Sequence, residues 1–82
     1  MVTILFHQDF QKIFSKIKNK DVKEKILKQI SRIKERPEVG KPMKYARIGT
    51  REVYIAPIRL SYNHSKEEDK IVVLDLYHKD EQ

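Results

Sequence analysis

Apolar residues change their spacing along the chain, and the changes mark out successive elements. Met1 to Phe6 (MVTILF) reads as a strand, with Val2, Ile4 and Phe6 on one face and Thr3 and Leu5 on the other. Asp9 is placed to cap a helix in which Phe10, Ile13, Phe14 and Ile17 make one apolar stripe, fading near Asn19-Lys20. Asp21, with Glu24 three residues on, predicts a second cap of the capping-box kind. Val22, Ile26, Ile30 and Ile33 form the second stripe, which Leu27 widens, and the helix must stop before Pro37. Pro37 to Pro42 (PEVGKP) is a loop, and Met43 to Gly49 is irregular or a short edge strand. From Arg51 the period becomes two. Val53 and Ile55 alternate with Glu52, Tyr54 and Ala56, and Pro57 then interrupts, as at an edge strand or bulge. Ile58, Leu60 and Tyr62 alternate with Arg59, Ser61 and Asn63. His64 to Lys70 is a polar hairpin loop, Ile71 to Tyr77 (IVVLDLY) a central strand buried on both faces, and His78 to Gln82 a charged tail.

The predicted order is strand, helix, helix, strand, strand, strand, in one domain over 1–82. A chain this short buries only about 60–65% of its unfolded surface, so one sheet and one layer of helices is what it can complete. Neither helix is apolar all round, so the pair should form an antiparallel hairpin covering one side of the sheet.

Charge narrows the classes of partner. Eighteen Lys and Arg against twelve Asp and Glu give a net charge of +6, which predicts attraction to polyanions, the alternative being a solvated, Lys-rich surface with no nucleic-acid role. There is no cysteine, which excludes disulfides and thiolate chemistry and fits a reducing compartment. Met1 to Phe6 is too short for the apolar region of a signal peptide, and no apolar run approaches a membrane span. A soluble, cytoplasmic protein without a membrane role is expected. His7, His64 and His78 lack paired ligand spacing, so no metal site is expected, and there is no glycine-rich phosphate loop.

The C-terminal half carries a resemblance. Ile58-Arg59-Leu60-Ser61-Tyr62, a polar loop, and then Ile71-Val72-Val73-Leu74-Asp75-Leu76-Tyr77 running into His78-Lys79-Asp80 follow Gly40-Lys41-Pro42 and Lys44. In this order the segments resemble the RelE/ParE superfamily of toxins from type II toxin–antitoxin systems, over nearly the whole chain. The resemblance implies an α+β fold, a small, mixed, mainly antiparallel sheet with the helical hairpin on one face and a concave, basic opposite face. RelE-like members cut mRNA in the ribosomal A site without metal or cofactor. ParE-like members poison DNA gyrase instead, and an antitoxin silences both. A RelB-like antitoxin folding over the hairpin and sheet edge, in a toxin–antitoxin hetero-oligomer, is therefore the expected partner, with ribosome and mRNA as targets.

Metal-free RNA cleavage needs a base for the 2′-hydroxyl, cations for the phosphate and an acid for the leaving oxygen. Arg59 is the phosphate candidate, since its fork binds phosphate oxygens in pairs. The alternative is a cross-strand ion pair: with a His64–Lys70 loop, opposed residue numbers sum to 134 and Arg59 faces Asp75. His78 is the candidate acid or base, and otherwise an exposed tail histidine. Lys79 is its neighbouring cation. Lys41 and Lys44 flank the loop beside the expected cleft, as a crowded base or as solvated lysines. Arg51 is a further RNA-binding cation, and Tyr45, Tyr54 and Tyr77 are candidates to stack unpaired bases. Tyr62 falls at a position expected to be packed. Two departures stand out: Asp80-Glu81-Gln82 supplies no tyrosine after the His-basic run, and Met43 stands where some relatives have a glutamate base. They keep two rivals open: a gyrase-binding toxin without chemistry of its own, and a degenerate member that only binds antitoxin or RNA.

Overall fold

The chain forms β1 (Thr3–Phe6), α1 (Gln8–Lys16), α2 (Lys20–Glu35), β2 (Lys41–Pro42), β3 (Thr50–Ile55), β4 (Ile58–Ser65) and β5 (Lys70–His78). The computed structural model of the protein describes residues 2–78. One five-stranded sheet has the order β1-β5-β4-β3-β2, with β1 parallel to β5 and the other neighbours antiparallel. The expected strand and helix order holds. β2 is a two-residue addition at the end of the segment read as a loop.

Both helices start before the residues expected to cap them. His7 caps α1, its Nδ1 accepting from the Asp9 amide at 3.1 Å. Asn19 caps α2, its Oδ1 accepting from the amides of Asp21 and Val22. Asp9 and Asp21 move into the first turns instead, where the helix dipole favours a negative charge. Asn is as good a cap as Asp, so an Asn two residues upstream takes the place once its side chain reaches the free amides. α2 ends at Glu35, ahead of Pro37 as expected.

The helices cover one face of the sheet, α1 against β5 and α2 against β3. Phe10, Ile26, Ile30 and Ile33 from the helices meet Ile55, Leu60, Tyr62, Ile71, Val73 and Leu76 from the sheet. Two stripe residues stay largely outside this core: Ile13 is 38% exposed and Leu27 53%. β5 is buried on the helix side only, since Val72, Leu74 and Asp75 on its length are half-buried. The opposite face of the sheet is uncovered by helix, and both ends of the chemistry to be considered lie there.

Pro57 lies in the two-residue connection between β3 and β4 and interrupts neither strand; β3 has only the two-residue β2 beyond it. The β4–β5 strands reach Ser65 and resume at Lys70, which shortens the loop to Lys66–Asp69, with Asp69 at φ 49°. Aspartate tolerates this left-handed conformation better than most residues. The register is Arg59 against Tyr77 and Ser61 against Asp75, then Tyr62 against Val73. Leu74 is therefore the extra residue of a β-bulge. The shorter loop and the bulge remove Arg59 from Asp75, and the expected pairing of those two residues does not form.

Candidate functional site

Register decides which side chains share the uncovered face. Lys41 is opposite Glu52, Glu52 opposite Ser61, Tyr54 opposite Arg59, Arg59 opposite Tyr77, and Ser61 opposite Asp75. Directly opposed residues point to the same side, so these seven line one surface. The segment after β2 rises beside it. Met43, Lys44 and Tyr45 from that segment, with Lys41, Glu52, Asp75 and Tyr77 from the sheet, border an open hollow of about 1220 Å³. A smaller recess of about 160 Å³ adjoins it, formed by Lys41, Glu52, Tyr54 and Arg59.

Glu52 is the hub of the hollow. Its Oε1 accepts from Arg59 Nη1 at 2.8 Å, and its Oε2 accepts from Tyr77 Oη at 2.6 Å. The Arg59 and Glu52 side chains are only 26% and 17% exposed, so the ion pair is shielded from water and stronger than one at the open surface. The Arg59 guanidinium carbon also lies 5.9 Å from the centre of the Tyr54 ring, a cation–π contact. Arg59 Nε is buried and has no hydrogen-bond partner.

A second cluster, on the helix side, holds the border of the hollow in place. Tyr62 Oη donates to the Pro37 carbonyl at 2.7 Å and accepts from the Gly40 amide at 2.9 Å. Arg51 Nη1 donates to the carbonyls of Gly40 at 2.7 Å and Glu38 at 3.2 Å. Burial pushes the Tyr62 phenol above its ordinary pKa, against the opposing pull of the Gly40 amide. The phenol is thus kept in the protonated form that donates to Pro37. These bonds fix the chain from Pro37 to Gly40, and so fix Lys41 and the start of the Lys44–Tyr45 segment.

The expected site residues divide accordingly. Lys41, Lys44, Tyr45 and Tyr77 come together around the hollow, with Tyr45 almost fully exposed, and Arg59 and Tyr54 line the adjoining recess. Arg51 does not join them: it is opposite Tyr62, on the helix side, and its guanidinium is spent on loop carbonyls. His78 does not join them either. It is opposite Ile58 and one residue past Tyr77, so strand alternation turns it to the other face. Lys79 lies outside the described residues. Tyr62 is packed as expected, with no exposed surface. Lys41, Lys44 and Arg59 face two carboxylates, Glu52 and Asp75, so cations exceed anions around the site in the same three-to-two ratio as in the chain as a whole.

Glu52 itself escaped the sequence reading. Its signal was available in the Ala56-Pro57 connection: a two-residue hairpin there pairs Tyr54 with Arg59 and puts Glu52 one step along the same face. Among the described residues no group of three His, Asp or Glu side chains is placed to hold a metal ion. No helix among them is long and apolar enough to cross a membrane.

Comparisons with known proteins agree on this architecture. No curated protein sequence matches the chain. Among solved structures, the chain is similar to a chain of the intact E. coli RelBE toxin–antitoxin complex, with a TM-score of 0.81, 16% identity, and 95% and 96% of the two chains covered. It is similar to the archaeal RelE–RelB complex from Pyrococcus horikoshii, at 0.79 and 15% identity, over 99% and 98%. It is also similar to the YoeB/ParE toxin from Agrobacterium tumefaciens, at 0.81 and 19% identity, over 94% and 98%. At these identities the likeness shows the RelE-like fold. The family follows from the sequence: residues 2–82 match the model of the ParE toxin of type II toxin–antitoxin systems, parDE, and the chain belongs to that family.

Proposed function

We propose that the protein is a ribosome-dependent mRNA endoribonuclease that acts in the cytoplasm as the toxin of its pair. One observation carries this reading: the sheet and the segment after β2 gather a guanidinium, two ammonium groups, two carboxylates and three tyrosines around the hollow and its adjoining recess. Those are the groups that a transesterification needs when its nucleophile, the 2′-hydroxyl, comes with the substrate. Arg59 holds the scissile phosphate, Lys41 and Lys44 neutralise the neighbouring backbone, and Tyr45 stacks on an unpaired base. An antitoxin with apolar and acidic residues silences it by covering the helical hairpin and sheet edge. Leu5, Phe6, Ile13 and Leu27 leave apolar surface there for it.

Induced expression should arrest growth and leave mRNA cut within codons, at positions read by primer extension. Growth arrest with intact mRNA would remove this reading.

A second reading, a gyrase poison, is favoured by the match to the ParE model and by the carboxylate already seated on Arg59. In that reading the hollow is a protein-docking surface and the Glu52–Arg59 pair is structural. Inhibition of supercoiling by the purified chain, with programmed ribosomes left intact, would select it.

A further inference from the structure

We propose that Glu52 is the group that accepts the 2′-hydroxyl proton, an assignment that rests on the nuclease reading above. The reaction needs an acceptor beside the phosphate-binding cation, because the attacking 2′-oxygen and the 3′-phosphorus belong to the same nucleotide. Guanidinium and ammonium groups are donors only while charged. His78 is on the other face of β5, and Met43 stands at the loop position. Two carboxylates remain at the hollow. Asp75 borders the hollow but not the recess that holds Arg59, while Glu52 borders both and contacts the guanidinium directly.

The partners of Glu52 suit this role. Tyr77 Oη, 2.6 Å from Oε2, fixes the carboxylate from β5. Arg59 Nη1, 2.8 Å from Oε1, is a phosphate-binding group already in contact with it. A phosphate entering the recess competes for Arg59 and loosens Oε1, which then faces the 2′-hydroxyl. Lys41 from β2, Lys44 from the following segment, Arg59 from β4, and Asp75 and Tyr77 from β5 are the charged and titratable groups around it. In the step, the 2′-hydroxyl proton passes to Glu52 and the 2′-oxygen bonds to phosphorus. The bond from phosphorus to the 5′-oxygen breaks, and that oxygen takes a proton from the ammonium of Lys41 or Lys44. The products are a 2′,3′-cyclic phosphate and a 5′-hydroxyl. Water carries the proton from Glu52 back to the lysine.

The test uses the purified full chain on ribosomes programmed with a defined mRNA. Glu52→Gln should lower the cleavage rate about 100-fold or more, the scale of a lost general base. Ribosome binding should hold or tighten, because Arg59 is freed from a charge. Glu52→Asp, which keeps the carboxylate but withdraws it, should retain partial activity, and the fall in wild-type rate toward low pH should vanish in Glu52→Gln. Thermal melting checks that each variant is folded; were Glu52→Gln unfolded, Glu52→Asp and its pH profile decide. Cleavage by folded Glu52→Gln at the wild-type rate, or an unchanged pH profile, overturns the assignment. Wild-type protein that cuts no mRNA overturns the nuclease reading itself, and the assignment with it.

Discussion

Arg59→Ala is expected to lower mRNA cleavage about 10²–10³-fold, the usual cost of losing one preorganised donor to a developing negative charge. It should act on stability as well. Glu52 is 17% exposed and would keep Tyr77 as its remaining partner, so the carboxylate would be left in a poorly hydrated place with its countercharge gone. Losing a hydrogen bond to a charged group in such a site costs about 1.5–3 kcal/mol. Two measurements separate the effects: urea denaturation for stability and single-turnover cleavage for chemistry. Arg59→Ala/Glu52→Gln should recover most of the lost stability, since no charge is stranded, and none of the lost activity. Recovery of cleavage in that double variant would show that Arg59 matters only as the partner of Glu52.

Gly40→Ala should destabilise the chain by about 1–3 kcal/mol, as overpacking at a rigid site does. A Cβ at position 40 would meet Tyr62 Oη at 2.6 Å and Cε1 at 2.8 Å, and the Glu52 carbonyl at 3.0 Å. Tyr62 cannot step aside easily, because it is fully buried and its hydroxyl is held by Pro37 and by Gly40 itself. The backbone must yield instead. That backbone leads into Lys41 and, on the other side, carries Glu52, so the border and the floor of the hollow shift together. Cleavage should fall with stability at 37 °C, whereas Ala at the exposed Lys28 should leave stability within about 0.5 kcal/mol of wild type. Chemical denaturation midpoints for the two variants provide the comparison.

Much of this architecture could be read from spacing alone. The stripes Phe10–Phe14 and Val22–Ile33 were legible because a helix that buries one face must repeat its apolar residues near 3.6. The alternation around Leu60 and Tyr62 was legible for the equivalent reason in strands. What was not legible depends on contacts between elements. The bulge at Leu74 has no local signature, yet it sets which residue faces Arg59. The cap went to Asn19 instead of Asp21, since both side chains are competent and only the path of the chain selects one.

The hollow shows the same division. Arg59, Lys41 and Lys44 were found because cations on a strand and beside a glycine loop are conspicuous, whereas Arg51 looks identical in sequence and is turned to the helix side by one step of alternation. His78 was drawn in by the resemblance, and that parity turns it to the other face. Glu52 was passed over because its one signal lies in the β3–β4 hairpin register, which brings Arg59 to it, and the β4–β5 register that brings Tyr77 depends on the bulge.

The central claim is that this hollow takes a messenger backbone and cuts it. Purified protein added in parallel to ribosomes stalled on a defined codon and to a gyrase supercoiling reaction tests it most directly. The expected result is mRNA broken within the A-site codon, with a 2′,3′-cyclic phosphate end, and supercoiling unaffected. Intact mRNA together with blocked supercoiling would contradict it.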